Sequence, residues 1–535
     1  MLKQRTRVRY SAQKRTPYKK YRAIALVVIV LGLGFFGYSK FFSENSPQES
    51  ANKLDFDSSV AVPEQERIKT AITEQLLTYG GSVSASAQTS LSLPEDGVLL
   101  EAYVPVTNKY AVRQSITKAE LTSQQVFVAQ GTDQVTQQSI NEAIGTETEQ
   151  LSTPTDQLAD DVIAFIPASE LSPDVKLLTF DGKYYLDTFT DGALLRTITF
   201  SGLDTQNLSS ITFNNANKDG VFTVNQTGVT ALTRTMLQKL SSVGDPTFFS
   251  KEIGPFLAST DITHVSNEVS FQENCQYHRA LFCSTPKFIE TLKDSGVDVV
   301  ELTGNHNNDF GRQINVDSIN TYRELGWSTV GGGLNAEDAA KPYVVNKKDS
   351  TVAILAYNYP DSPNGVAIAT ESGAGANGFD FTRIEADIAA QKAAGTQSVI
   401  VDVQFWECYA YPDGYVEYPI CDQPITDQQE VFRKIVDLGA DMVVGTSAHQ
   451  PQTFEFYNGK PIYYGLGNLY FEQTQWPGTE RGIILTHYYQ KGKLLQTKLT
   501  PTVYDDDFQV RIMDADETEY QLDRLKSART AAGLE

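Results

Sequence analysis

Two short segments carry residue types that could do chemistry, and each directly follows a strand-like run. The first run, VVEL, leads into Gly304, Asn305 and His306, and the second, MVVG, leads into a segment that contains His449. Glycine permits a tight turn, an asparagine carbonyl oxygen can ligate a divalent metal, and histidine can donate a proton to a leaving oxygen. A site for metal-assisted hydrolysis at the ends of two strands is one interpretation, and the alternative is the commoner state, a histidine in a solvated loop.

The elements that must position these segments alternate between strands and helices from about residue 220. Strand-like runs are found at Phe222–Asn225, Val297–Leu302, Val352–Tyr357, Ser398–Phe405 and Asp441–Gly445. Helical patterns separate them at Leu232–Leu240, Pro286–Ser295, Ile314–Leu325, Arg383–Ala393 and Asp427–Leu438. This alternation predicts an α/β domain with its functional residues at the carboxyl ends of the strands. Beyond it, residues 482–504 predict a hairpin, and the charged tail within residues 511–535 predicts a terminal helix from Asp514.

Residues 54–219 precede this domain and predict a smaller α/β domain without concentrated chemistry. Val98–Val106 and Val162–Ile166 have the composition of strands. Thr132–Asp156 is almost entirely polar, which predicts a mobile loop. The sequence pattern of this part is similar to that of a lobe of periplasmic binding proteins.

The charge distribution excludes one function class and predicts a location. Lys and Arg number 44 against 66 Asp and Glu, and ten of the basic residues lie before Phe42. The remaining, acidic part lacks the basic face that nucleic-acid binding needs. The basic tail 1–22 is followed by an uncharged run, so residues 23–42 are predicted to form a transmembrane helix with a cytoplasmic N-terminus. Residues 43–53 then link the helix to an extracytoplasmic part; a cleaved signal peptide is the alternative.

The four cysteines agree with a location outside the cytoplasm. They form two pairs that are close in sequence, Cys275 with Cys283 and Cys408 with Cys421. Neither pair has the CxxC spacing of a zinc site or a redox motif. We predict two disulfides with this pairing, among three formal connectivities, and the alternative is buried free thiols.

The residues around both segments resemble poly-γ-glutamate capsule biosynthesis proteins of the CapA type. The third motif of that family resembles LTGNHNNDFG, and the last resembles DLGADMVVGTSAHQPQTFEFYNGKPIYYGLGNLYFEQ. STDITHVSNEVSF is similar to the family's Asn/Glu motif, VIVDVQFWECY to the fourth motif and QTGVTALTRTM to the first. The resemblance covers about Val221 to Gln473, in a domain predicted at 220–510. It implies a four-layer α/β/β/α fold like that of calcineurin-type metallophosphoesterases.

The resemblance also implies roles for single residues. His306 matches the general acid of the third motif. The positions that match family metal ligands are Asn267, Glu268, Asn305 and His449. The further side chains considered as auxiliary or substrate-binding groups are Arg234, Asp309, Gln404 and Glu407. His264, His278 and His487 match no family position, and we interpret them as structural.

Three positions depart from the family pattern. Val229 stands where the family has Asp, while Gln404 and Ser447 stand where it has His. Valine cannot ligate a metal, glutamine offers only a carbonyl oxygen, and serine is a poor neutral ligand. We therefore expect one divalent ion at most, of undetermined identity, rather than a binuclear centre.

Three functional hypotheses follow from these observations. The first is a single-pass, extracytoplasmic CapA-like protein that takes part in synthesis, export or anchoring of a poly-γ-glutamate-type polymer, with metal-assisted hydrolysis as its activity. The second is a non-catalytic surface scaffold that keeps the fold and the groove. The third, a solute-binding receptor, depends only on the sequence pattern of residues 54–219. The expected partners are the cell membrane and an anionic capsule polymer or its synthesis machinery, without nucleic acid.

Overall fold

The protein is described here in a computed structural model. The described residues are 53–58, 60, 65–66, 68–70, 84–90, 98–201, 218, 220–278, 281–359, 366–405 and 428–534. The contacts divide the chain into two compact units, residues 1–88 with 199–211 and residues 89–198 with 212–535. Within the described residues, no helix has the length and apolar character needed to cross a bilayer. The predicted transmembrane helix at 23–42 lies outside the described residues.

The first unit contains a pair of parallel strands, β1 (Lys53–Phe56) and β2 (Ser84–Ser90). The second unit begins with a mixed sheet and a separate two-stranded sheet. Its strands are β3 (Val98–Asn108), β4 (Ser115–Ile116), β5 (Val126–Val128), β6 (Thr148–Gln150), β7 (Ile163–Pro167), β8 (Val175–Leu177), β9 (Thr179–Phe180) and β10 (Leu194–Ser201). Its helices are α1 (Lys118–Leu121), α2 (Gln134–Ile144) and α3 (Tyr185–Thr188). Strands β4 and β9 form the two-stranded sheet. The strands predicted at Val98–Val106 and Val162–Ile166 are confirmed as β3 and β7.

The mobile loop predicted at Thr132–Asp156 is wrong, because helix α2 and strand β6 occupy much of it. The side chain of Asp133 caps the helix by accepting a hydrogen bond from the backbone N–H of Thr136, and Gly145 ends it with φ 79°. Ile140 and Ile144 lie four residues apart on one face and are fully buried. Two buried isoleucines on one face and capping residues at both ends therefore stabilise a helix in a segment whose polar composition predicted a loop.

The remainder of the second unit contains two large sheets and a two-stranded sheet. The strands are β11 (Val221–Thr230), β12 (Ile262–Asn267), β13 (Val299–Glu301), β14 (Ser328–Val330), β15 (Gly332–Gly333), β16 (Tyr343–Lys347), β17 (Ser350–Asn358), β18 (Gly375–Ala376), β19 (Ser398–Gln404), β20 (Met442–Thr446), β21 (Phe454–Tyr457), β22 (Lys460–Tyr463), β23 (Asn468–Tyr470), β24 (Arg481–Gln490), β25 (Lys493–Tyr504) and β26 (Val510–Ile512). The helices are α4 (Thr235–Val243), α5 (Gly254–Leu257), α6 (Ile289–Asp294), α7 (Arg312–Glu324), α8 (Ala336–Ala339), α9 (Phe381–Ala393), α10 (Gln428–Asp437) and α11 (Ala515–Ala531). Strands β15 and β18 form the two-stranded sheet. The predicted strand and helix alternation, the hairpin β24–β25 and the terminal helix α11 are confirmed.

These elements form layers, with the two sheets face to face and helices on their outer sides. The first sheet has the order β14-β13-β12-β11-β24-β25-β26, and the second has the order β16-β17-β19-β20-β22-β21. Apolar side chains of both sheets, such as Val224 and Ile400, share one core between them. Helices α4, α6 and α7 pack on the outer face of the first sheet, and helices α9 and α10 pack on that of the second. The mixed α/β fold predicted from the sequence is therefore confirmed.

The layering brings the predicted functional segments to strand ends. Strands β11, β12, β13 and β14 are mutually parallel, as are β17, β19, β20 and β22. The segment with Asn305 and His306 follows β13, and the segment with His449 follows β20. Strands such as β17 and β20 are buried and largely apolar, and loops at the carboxyl ends of the parallel strands can present polar groups.

Candidate functional site

The Gly304-Asn305-His306 corner packs directly against the end of strand β12. A Cβ atom added to Gly304 would lie 2.5 Å from Cα of Glu268, so only glycine allows this close approach. His306 forms a β-bridge with Val269. The structure therefore brings the Asn305-His306 corner beside Glu268 and Val269, just after the end of β12 at Asn267.

His306 is held by a carboxylate and an aromatic ring. Its Nδ1 lies 2.7 Å from Oδ2 of Asp309, and that oxygen also accepts a hydrogen bond of 2.8 Å from the backbone N–H of Phe282. The Phe282 ring lies 4.3 Å from the imidazole, centroid to centroid. Phe282 is adjacent to Cys283, whose disulfide with Cys275 confirms one of the two predicted bridges. The disulfide thus anchors the loop that orients His306.

Arg234 lies across the same corner and is almost buried, at 8% exposure. Its guanidinium carbon is 5.1 Å from the centre of the Phe282 ring and 4.8 Å from that of Phe471, distances at which a cation and an aromatic face attract. Its Nε is 3.6 Å from Oε1 of Glu472, whose backbone oxygen also accepts a hydrogen bond from the guanidinium. Burial lowers the pKa of Arg234, while the Glu472 carboxylate opposes that shift. The backbone has φ 48° and ψ −118°, a strained conformation of the kind found at functional sites.

His449 completes the group of charged and aromatic side chains. Its Nδ1 lies 3.0 Å from Oδ1 of Asn468, and its ring is 5.1 Å from that of Phe471. Burial lowers the pKa of His449 to about 3, and the positive charge of Arg234 and the nearby His306 contribute in the same direction. His449 is therefore a neutral imidazole at physiological pH, beside a permanent cation.

An apolar cluster occupies the position at which the family pattern would place a carboxylate ligand. Val229 is fully buried against Ala231, Val269 and Phe471. The side chain of Asn267 has a structural role, because its Nδ2 donates hydrogen bonds to the backbone oxygen of Val269 and to the hydroxyl of Tyr322. A binuclear metal centre does not fit this set of apolar and neutral groups next to the Arg234 cation.

Two amide side chains in the site have polar atoms without hydrogen bonds. Gln404 is fully buried at the end of β19, and neither its Oε1 nor its Nε2 has a partner. Oδ1 of Asn305 is likewise buried and accepts no hydrogen bond. Buried amides are normally satisfied, so these two mark places where a polar ligand atom would be stabilised. The predicted auxiliary residue Glu407 and the predicted disulfide Cys408–Cys421 lie outside the described residues.

Phe282, Phe471 and Glu472 were not predicted from the sequence as site residues. Phe471 and Glu472 stand in the text LYFEQ of the last family-like motif, and Phe282 stands beside a cysteine. Each is an ordinary residue type, and only the fold brings all three around Arg234. The available signal was the predicted disulfide. It closes a short loop between Cys275 and Cys283, and this loop restricts where Phe282 can lie relative to the predicted site.

Comparisons with known proteins agree with the sequence motifs. Residues 223–473 match the family model described as bacterial capsule synthesis protein PGA_cap. The chain is 23% identical over 244 residues to the capsule biosynthesis protein CapA of Bacillus anthracis, covering 44% of this chain and 57% of that protein. It is 24% identical over 253 residues to the PGA biosynthesis protein CapA of Bacillus subtilis (strain 168), covering 46% and 63%. The matched region therefore spans less than two thirds of either relative.

Among solved structures, one similar chain is a 5'-nucleotidase precursor from Thermus thermophilus. The two share 14% sequence identity and a TM-score of 0.31, over 58% of this chain and 59% of that one.

Proposed function

We propose that this protein binds a poly-γ-glutamate-type polymer during its synthesis, export or anchoring, because residues 223–473 match the capsule synthesis family model and resemble two CapA proteins. The polymer is a chain of carboxylates, so its recognition calls for a fixed cation in a partly desolvated groove. The whole-protein role goes beyond the matched region, since the relatives are longer than the match. We further propose that the domain has a metallophosphoesterase-like fold and acts without metal-dependent hydrolysis.

The observation that supports the proposal is a cation and aromatic rings in the corner where the family pattern would place metal ligands. The Arg234 guanidinium lies between the rings of Phe282 and Phe471, next to the imidazoles of His306 and His449. A guanidinium repels a dication and attracts a carboxylate, and nearby rings exclude water from the contact. The site is therefore better suited to a carboxylate ligand than to the two metal ions of a phosphoesterase.

We also propose that the domain works outside the cell, tethered by a single transmembrane helix. The support is the basic tail followed by an uncharged run in residues 1–42, and the disulfide Cys275–Cys283. Disulfides persist in oxidising compartments, and a tethered protein would meet a polymer that emerges at the membrane. This location is compatible with either handing the polymer on or retaining it at the surface.

The direct test is polymer binding by the detergent-solubilised full chain. Immobilised poly-γ-glutamate should retain the protein, and the affinity should fall as salt is raised, because the contact is electrostatic. Arg234→Gln should weaken binding by about tenfold, equivalent to the loss of one charge-assisted contact. The matched control is Arg323→Gln, since Arg323 lies on helix α7 and pairs with Asp338.

Equal binding by the two arginine variants would contradict the role of the site, and absence of binding by the wild type would contradict the function. In cells, deletion of the gene should lower the amount of surface polymer, and Arg234→Gln should fail to restore it. If the deletion leaves surface polymer unchanged, the family function does not extend to this chain.

A second candidate, metal-assisted hydrolysis, is favoured by the geometry of His306. The Asp309 carboxylate 2.7 Å from its Nδ1 would orient the ring and keep a proton available for a leaving oxygen. The two candidates differ in one measurement, the length of polymer chains incubated with the protein. Binding without hydrolysis predicts unchanged length. Shortening that disappears in His306→Ala would make hydrolysis the leading function.

A further inference from the structure

A second group of polar side chains lies in the core between the two stacked sheets. His264 is on β12, Glu301 is on β13 and Asp402 is on β19, so the group joins strands of both sheets. Their exposures are 1%, 0% and 0%. The shared core of the two sheets is otherwise built from side chains such as Val299 and Ile400. Charged residue types at this depth are rare unless they are paired or bind a metal.

The three side chains converge on one point. One ligand atom from each lies within 4.8 Å of the ligand atoms of the other two. Nε2 of His264 is 3.3 Å from Oδ2 of Asp402. One imidazole nitrogen and two carboxylate oxygens form a donor set that divalent transition metals accept.

The hydrogen bonding of the group is incomplete. Neither ring nitrogen of His264 makes a hydrogen bond, and Oε2 of Glu301 has no partner. The other oxygen of Glu301 accepts from the hydroxyls of Thr303 and Thr446. A fully buried imidazole whose two nitrogens make no hydrogen bond is costly, and the Asp402 carboxylate oxygen 3.3 Å from Nε2 does not meet the geometry of one.

Asp402 is held in place by a neighbour that resembles an outer-shell partner of a metal ligand. Nε2 of Gln226 donates to both carboxylate oxygens, at 3.0 and 3.1 Å, and Oε1 of Gln226 lies 2.9 Å from Nε2 of His487. Such second contacts orient ligands in metal sites. The chain from His487 through Gln226 leaves the Asp402 carboxylate directed at His264.

A bound cation would offset the electrostatic cost of ionising the two buried carboxyl groups. Burial raises the pKa of Glu301 to about 7 and lowers that of His264 to about 4, and it raises the pKa of Asp402 well above its usual range. Glu301 raises the pKa of Asp402 further, and Glu268 raises that of Glu301. Among the described residues, no lysine or arginine contributes to the pKa of either carboxyl. A dication with two carboxylates and a neutral imidazole would give a cluster of zero net charge.

We propose that His264, Glu301 and Asp402 bind one divalent transition-metal ion, of the Zn²⁺ or Mn²⁺ class, as a structural link between the two sheets. The ion would tie β12 and β13 to β19 across the core. This site is separate from the strand-end corner of Arg234 and His449, and it does not depend on polymer binding. Its enclosure makes it a structural centre, because no substrate could reach an open coordination position.

The test is the metal content of the detergent-solubilised full chain, from cells grown with added Zn²⁺ or Mn²⁺ and passed through a weak chelator. The wild type should retain one ion per chain. Asp402→Asn and Glu301→Gln, which keep the volume and remove one charge each, should retain none. His449→Ala, in the strand-end corner, should retain the ion and serves as the control.

A second measurement does not require the variants to fold as well as the wild type. Prolonged treatment of the wild type with a strong chelator should lower its thermal midpoint by about 4 °C or more. The chelator should have no effect on Asp402→Asn. A wild type without bound metal would overturn the proposal. Metal that persists in Asp402→Asn but is lost from His449→Ala would overturn it too, by moving the ion to the strand-end corner.

Discussion

The ion pair between Arg234 and Glu472 provides a test of whether the charge of Arg234 is structural or available to a ligand. Both residues are nearly buried, at 8% and 3% exposure. Oε1 of Glu472 lies 3.6 Å from Nε of Arg234 and also accepts a 2.9 Å hydrogen bond from the backbone N–H of Thr235. Replacing one member of a buried pair leaves the other charge without compensation, which typically costs about 3–5 kcal/mol.

The expected magnitudes follow from these contacts. Arg234→Met should lower the free energy of unfolding by about 4 kcal/mol, because it leaves the Glu472 carboxylate unpaired and removes two cation–ring contacts. Glu472→Gln should cost about 2–3 kcal/mol, since glutamine can still accept from Thr235. The double variant contains no unpaired charge. Its loss should fall short of the sum of the single losses by about 2–3 kcal/mol.

The assay is chemical denaturation of the full chain and the three variants in the same detergent, followed by tryptophan fluorescence. Additivity within about 0.5 kcal/mol would refute the coupling, and Glu472 would then not neutralise Arg234. If the coupling holds, the double variant becomes the best probe of function, because it lacks the cation and stays folded. Loss of polymer binding in that variant can be assigned to the missing charge.

Three other outcomes can be checked separately. Protease added to intact cells, or to protoplasts where a wall intervenes, should digest residues 43–535; protection of that part would contradict the extracytoplasmic location. Peptide mapping without reductant should find Cys408 linked to Cys421, and free thiols at both positions would show this bridge to be absent. Burial, aided by Arg529 and opposed by Asp160, lowers the pKa of Lys176 to about 7. The folded protein therefore releases that proton before the unfolded chain does, so stability rises as pH rises from about 7 to 10.5. Because Lys176 keeps partial contact with solvent, we expect Lys176→Met to gain roughly 2 kcal/mol at pH 6 and much less near pH 10; an equal gain at both pH values would contradict this.

The sequence predicted those parts of the fold whose patterns are local. Apolar runs are present in β17, β19 and β20, and the structure confirms the strands predicted at β11, β13, β17, β19 and β20. Helix α2 was missed, because its few buried side chains are diluted by polar residues that face solvent. The corner with Asn305 and His306 was placed correctly at a strand end, since glycine followed by polar residues after a strand is a local signal.

Features that depend on contacts between distant strands could not be read from the chain. The rings that enclose Arg234 come from separate loops, and no spacing rule connects them. The buried triad had a signal that was not used. Glu301 and Asp402 each interrupt an otherwise apolar strand, in VVEL and VIVDVQ, and a charge within a buried run requires a partner in the fold. The sequence could have raised that question, but only the stacking of the sheets places His264 opposite Asp402.

The departures from the family pattern are physically consistent with one another. Val229 offers no carboxylate to a metal ion, but it packs against Phe471. Phe471 in turn lies against the Arg234 guanidinium. A metal site at this corner would place a dication beside that guanidinium, whereas a carboxylate ligand would be attracted to it. Restoring a single carboxylate at Val229 should therefore produce an internal partner for Arg234 rather than a metal site. Recovery of metal binding needs removal of the guanidinium together with replacement of the missing ligands.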